Sequence, residues 1–284
     1  MTKRTVQRII PSIHASDGAG VKLRRSLGQS QTVRLDPFLM LDEFSSDNAD
    51  DYIAGFPDHP HRGFETVTYI LDGHMLHQDH LGNRGDLKSG GVQWMTAGRG
   101  IIHSEMPQQD RGRMRGFQLW INLPAREKMK PAGYRDLQAS DIPEAALPGG
   151  GLVRVIAGEY GETAGPISGL STEPVYLDVH LPAGATFSHA PKNGHNAFVY
   201  PYEGSVRIGS TALPSHSAGV LSAEGEVEAT AGAEGARFLL LAGKPLNEPI
   251  VQYGPFVMNT REEIEQAIRD YQNGTLTASS TASA

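Results

Sequence analysis

Between Gly55 and Met106 the chain carries two short pairs of metal-type donors, His59-Pro-His61 and His103-Ser-Glu105, and these limit its fold more than any other feature. Successive side chains of an extended strand leave opposite faces, so His59 and His61 share one face, as do His103 and Glu105. Two such strands laid side by side in a small barrel bring three imidazoles and a carboxylate to one point, with coordination positions left for solvent or substrate. Carried forward along the chain, the same parity puts Glu65, Val67, Tyr69 and Leu71 on the face of His59 and His61, with Thr66, Thr68 and Ile70 on the other. Parity therefore admits either Glu65 or Glu105 as the carboxylate donor.

The rest of the chain supports a β architecture. Its 284 residues include 33 Gly and 18 Pro, and short Val/Ile/Leu/Tyr runs alternate with turn signals, the pattern of an all-β sandwich or barrel. With no cysteine, thiolate metal sites, disulfides and cysteine nucleophiles are excluded, and oxygen and imidazole must carry any metal chemistry. A formal net charge of −7 argues against electrostatic binding to nucleic acid or an anionic membrane, while a protein partner remains compatible. The basic N-terminal residues lack a signal-type apolar run, and no stretch approaches the length of a membrane span, so a soluble cytoplasmic protein is expected.

In chain order, Val21 to Leu27 alternates as a strand, and Asp72-Gly73 turns into a return strand bearing His74, His77 and His80. His77 has the opposite parity from the other two, and a polar strand explains this trio better than a second metal does. Gly98 and Gly100 permit the tight path that aims His103 and Glu105 inward. The alternation Gly116 to Leu123 places Gln118, Trp120 and Asn122 on one face, where Gln118 and Trp120, with Glu65, are candidates to line a substrate pocket. The Pro/Gly-rich stretch 139–151 reads as a linker between an N-terminal metal-binding domain, 1–138, and a C-terminal domain, 152–274. The latter repeats the β pattern in degenerate form, with His189 and His195 in place of the tight His pair. Thr260-Arg-Glu-Glu263 is a capping box opening a helix whose apolar stripe is Ile264, Ala267, Ile268 and Tyr271, and 275–284 reads as a disordered tail.

Several segments together resemble the pirins, a bicupin branch of the cupin superfamily. They are Leu35-Asp-Pro-Phe-Leu39, Gly55 through Val67, Trp94 through Ile101 with His103-Ser-Glu-Met-Pro107, Leu119-Trp120, and Gly254 through Thr260. The resemblance implies an all-β fold of two facing cupin (jelly-roll-like) barrels with a C-terminal α-helix. It also implies one divalent metal in the N-terminal barrel, Fe(II) by preference, held by His59, His61, His103 and Glu105. Such a donor set also accepts Mn, Co, Ni, Cu or Zn. Here Glu105 stands in for the carboxylate that cupins generally take from the first motif, at Glu65. The activity implied is quercetin 2,3-dioxygenase chemistry: O2-dependent opening of a flavonol ring with release of carbon monoxide and Glu105 as the catalytic base. The alternative implied is an iron-dependent regulator without catalysis, acting through protein contacts on transcription complexes or metabolic enzymes.

Overall fold

A computed structural model describes residues 2–278. In chain order the first strands are β1 (Val6–Pro11), β2 (Ile13–Asp17), β3 (Val21–Arg25), β4 (Phe38–Ser46), β5 (Phe56–His61), β6 (Phe64–Asp72) and β7 (His74–Asp79). They are followed by β8 (Arg84–Lys88), β9 (Val92–Thr96), β10 (Ile101–Pro107), β11 (Met114–Asn122) and β12 (Gly133–Leu137). The second series comprises β13 (Glu144–Ala146), β14 (Leu152–Ala157), β15 (Glu159–Tyr160), β16 (Thr163–Ala164), β17 (Val175–Leu181) and β18 (Thr186–His189). It continues through β19 (Asn196–Ile208), β20 (Thr211–Leu213), β21 (Ser217–Leu221), β22 (Val227–Gly243), β23 (Val251–Tyr253) and β24 (Phe256–Met258) to the α-helix α1 (Arg261–Gln272).

The chain forms two cupin units. One takes Ser16–Leu23, Glu43–Leu137 and Asn247–Ala284; the other takes Met1–Ala15, Arg24–Asp42 and Gln138–Leu246. This interleaved division differs from the contiguous boundaries expected above, 1–138 and 152–274, and strand pairing explains why. β1 hydrogen-bonds β21 along its length, which commits the first residues of the chain to the second unit. The last residues return to the first unit through a bridge between Arg62 and Phe256.

Strands β5 to β12, all in the unit that carries the histidine pairs, lie in two sheets, one ordered β12-β9-β6-β11-β4-β3-β2 and one ordered β5-β10-β7-β8. All pairings recorded between these strands are antiparallel. Alternation places Val67 and Tyr69 of β6 beside Leu119 and Phe117 of β11, and each is at most 1% exposed. The other unit is built on a sheet ordered β1-β21-β19-β22-β17-β14-β13. Val175, Leu177, Val179 and Leu181 of β17 face one way, opposite Ala242, Leu240, Phe238 and Ala236 of β22, and all belong to one buried apolar cluster. Each large aliphatic or aromatic side chain buried there contributes roughly 1.5–3 kcal/mol relative to exposure, which accounts for the period-two pattern read in the sequence.

Helix α1 begins at the expected capping box. The Thr260 side chain accepts from the Glu263 amide, and the Glu263 carboxylate accepts from the Thr260 amide at 2.9 Å. Ile264 and Ala267 are buried and Ile268 packs beside them, but Tyr271 is 44% exposed, its ring 6.4 Å from Phe256. Of the stretch expected to be disordered, residues 279–284 lie outside the described residues. Leu276, by contrast, is 2% exposed and joins the cluster of Phe256, Met258, Ile264 and Ala267.

Candidate metal centre

The four-stranded sheet builds the site, with β10 at its middle. His103 pairs with His59 of β5 on one side and with Asp79 of β7 on the other, while Glu105 pairs with His77. Directly opposed residues share a face, so one surface of this sheet presents His59, His61, His103, Glu105, His77 and Asp79. Between His103 and Glu105 the β5 register jumps from His59 to Phe56, a bulge that places one extra residue on β5.

His59, His61 and His103 converge so that one ring nitrogen from each lies within 4.8 Å of the others. Their ring centroids are 4.7 Å (His59–His61), 4.3 Å (His59–His103) and 4.9 Å (His61–His103) apart. The donor chemistry fits a cation. His59 Nδ1 lies 2.8 Å from the Pro57 carbonyl, to which it can only donate, so Nε2 is left with a lone pair. His61 Nδ1 and His103 Nε2 are buried without a hydrogen-bond partner, a costly state for imidazole nitrogens that a metal ion would relieve. Burial, followed by the neighbouring His59, drives the His61 pKa well below the usual imidazole value, against the opposing pull of the Pro255 carbonyl. Burial and then the His61, His59 and His77 rings do the same for His103. Both are therefore neutral donors.

Glu105 is 1% exposed and stands on the face of the cluster without belonging to the three-imidazole group. Thr68 Oγ1 donates to its Oε1 at 2.7 Å and Gln118 Nε2 to its Oε2 at 2.8 Å, so both oxygens are oriented. Glu65 is placed differently. It accepts from Thr96 Oγ1 at 2.6 Å and Trp94 Nε1 at 3.3 Å, with Lys130 Nζ 3.9 Å away, on the face that β6 and β9 present opposite to Thr68. Burial raises its pKa, partly offset by the Thr96 hydrogen bond. The parity carried across from His61 fails because Gly63, at φ +90°, turns the backbone between β5 and β6. A Cβ at Gly63 would also collide with the Val257 carbonyl. Thr68 therefore faces the site and Glu65 does not.

Of the other expected residues, Gln118 touches Glu105, and Trp120 lies 5.4 Å from His61 and 4.3 Å from Phe64 between ring centroids. His74 pairs with Asp86, and His80 Nδ1 accepts from the Ile102 amide at 3.2 Å. His77 is 1% exposed and lies behind His103, with 3.3 Å between the two Nδ1 atoms. Sequence reasoning missed His77 because it compared parity within the trio, when the relevant comparison is register against β10. Lys128 was missed too. Its Nζ, 1% exposed at the residue level, donates to the Gly63 carbonyl at 2.7 Å, Asn122 Oδ1 at 2.6 Å and the Val257 carbonyl at 3.0 Å.

Two cupin units in one chain, one of them bearing a three-imidazole cluster suited to a metal, define a bicupin. The family described as Pirin matches residues 20–121, and the Pirin C-terminal cupin domain matches 176–277. A Pseudomonas aeruginosa protein bearing the name "Putative quercetin 2,3-dioxygenase" is 57% identical over 269 residues, 92% of this chain and 94% of that one. Human Pirin is 41% identical over 278 residues, covering 96% of this chain and 93% of its own. Among solved structures, a quercetin 2,3-dioxygenase from Acinetobacter baumannii superposes with a TM-score of 0.88 at 37% identity, over 97% of this chain and 99% of that one. The chain belongs to the pirin family.

Proposed function

We propose that this protein is a metal-dependent dioxygenase that opens the ring of quercetin or a similar flavonol with O2 and releases carbon monoxide, using Fe(II). The observation that carries this reading is the three-imidazole cluster with Glu105 on the same sheet face. The names of the Pseudomonas and Acinetobacter proteins supply the substrate class. His59, His61, His103 and Glu105 are the residues that would hold the metal, a set that also admits Mn, Co, Ni, Cu or Zn. Bound there, the metal supplies Lewis-acid and redox chemistry toward the substrate's 3-hydroxyl and O2.

The remaining work falls to side chains. Glu105 takes the proton of the 3-hydroxyl, and the Thr68 and Gln118 hydrogen bonds fix the direction of its oxygens before substrate arrives. Gln118 can turn its amide from Glu105 to a substrate oxygen. The Trp120 indole, backed by Phe64, offers a flat apolar wall that suits a planar aromatic ring. The test is to load the purified protein with Fe(II) and expose it to quercetin in air while following dissolved oxygen and carbon monoxide. Oxygen uptake matched by carbon monoxide supports the reading. Stoichiometric metal binding with neither change overturns it.

A further inference from the structure

The face of the four-stranded sheet that gathers the three imidazoles also holds a chain of groups running away from them, from His103 through His77 to Asp79. His103 Nδ1 and His77 Nδ1 are 3.3 Å apart, and His77 Nε2 is 3.5 Å from Asp79 Oδ2. The His77 and Asp79 side chains are 1% and 0% exposed. Asp79 is itself anchored: its Oδ1 accepts from the Leu81 and Asn83 amides at 2.9 and 3.0 Å, and its Oδ2 accepts from Asn83 Nδ2 at 2.8 Å. Tyr134 stacks on the His77 ring, centroids 4.5 Å apart and planes 21° apart, which holds its orientation.

Two facing Nδ1 atoms need one hydrogen between them, so only two tautomer arrangements of neutral rings are available. In one, His103 Nδ1–H donates to His77 Nδ1, His77 Nε2–H points at the Asp79 carboxylate, and His103 Nε2 carries a lone pair. In the other, His77 turns an Nε2 lone pair toward a carboxylate, and His103 Nε2–H is a buried donor with no acceptor. The first is favoured: His77 Nε2 makes no hydrogen bond in this structure, but its proton then faces a carboxylate 3.5 Å away instead of its lone pair doing so, and His103 keeps free the nitrogen that a metal would use.

We propose that Asp79 and His77 form a positioning relay that fixes His103 in the tautomer whose Nε2 binds the metal, an inference that rests on the metal reading above. Hydrogen-bond partners behind a ligating imidazole typically change metal affinity 10–100-fold, through ring orientation and ligand basicity.

The test uses the full chain and Co(II), with affinity measured by competition against a chromophoric chelator. Proton spectra of the Co(II) protein add a second readout, the shifted, solvent-exchangeable N–H signals of ligating histidines. His77→Leu removes the acceptor and is expected to weaken Co(II) binding about 10–100-fold and to lose one such N–H signal to exchange. His77→Asn places a carbonyl oxygen near the former Nδ1, so it should restore the signal and most of the affinity, a rescue that a purely packing role would not produce. Asp79→Asn, which can donate to His77 and so invert the relay, should weaken binding as His77→Leu does. Should His77→Leu fail to fold, His77→Asn near wild type together with a weakened Asp79→Asn carries the proposal. Wild-type affinity and an unchanged spectrum in Asp79→Asn, or in a folded His77→Leu, overturn it. Failure of the unsubstituted protein to bind Co(II) or Fe(II) overturns the metal reading itself.

Discussion

Lys128 carries an ammonium into the interior with three oxygen acceptors around it, two backbone carbonyls and the Asn122 side-chain oxygen. Burial dominates, lowering its pKa from 10.5 to about 8, with Glu248 and Glu263 pulling weakly the other way. Below pH 8 the lysine is charged in both folded and unfolded chains, and the full cost of burying the charge is present. Between pH 8 and 10.5 the folded chain loses the proton first, so this group's penalty fades as pH rises, by up to about 3 kcal/mol. Urea unfolding of wild type and Lys128→Met at several pH values should show wild type gaining on the variant across this window. A constant difference would refute the assignment. At neutral pH the variant should still be the less stable, because the Gly63 and Val257 carbonyls lose a donor at about 1–3 kcal/mol each, while Asn122 Oδ1 keeps the Leu123 amide. Glu105→Gln tests the proton acceptor. Turnover is expected to fall roughly 10²–10⁴-fold, and metal content measured alongside separates lost basicity from lost ligation.

At the scale of elements, Arg62 links β5, the strand of His59 and His61, to α1 and the residues that follow it. Its guanidinium donates to Asp270 Oδ2 on α1 at 2.7 Å and to the Leu276 carbonyl at 3.2 Å, and its Nε bonds the Arg99 carbonyl beside β10. At 3% exposure these are sheltered, charge-assisted bonds, so Arg62→Met should cost about 2–3 kcal/mol in chemical denaturation. Thr260→Ala, which removes one half of the capping box, should cost about 1 kcal/mol and shorten the protection of α1 amides from exchange. The capping box was legible in the sequence because capping is a local pattern. So was the shared face of His59 with His61 and of His103 with Glu105, since two residues within one strand keep their parity. Glu65 was misplaced because parity does not survive a left-handed glycine, and His77 was overlooked because only the pairing of β7 with β10 brings it behind His103. Leu276 was placed in the disordered tail because the small polar composition around it hides one buried apolar anchor.

Across the whole molecule, the two units differ in what a metal can do for them. The described metal-type group lies wholly in the unit built around β5, β10 and β7, while the β17–β19–β22 core of the other unit rests on its apolar cluster and on hydrogen bonds such as Tyr202 to Asp178. A ligand that binds only the native site stabilises by about 4 kcal/mol at a thousandfold excess over its Kd. Hydrogen exchange with and without Fe(II) should therefore show slowed amides concentrated in β5, β7 and β10, with much smaller changes in β17, β19 and β22. Equal slowing in both units would contradict a local effect. The two-unit division itself was legible as repeated β patterning, but its interleaving was not, since β1 shows no sign in its own residues that its partner is β21.

The bonds made by Arg62 also set an order in time. All three imidazoles have been synthesised once the ribosome passes His103, yet Asp270 and the Leu276 carbonyl are made much later. A nascent chain arrested before Asp270 thus holds every nitrogen of the cluster and lacks the late partners of the arginine beside it. The segment around Asp270 and Leu276 braces the strand that carries His59 and His61, so its synthesis, and not that of the imidazoles, is when this cluster acquires its full scaffold.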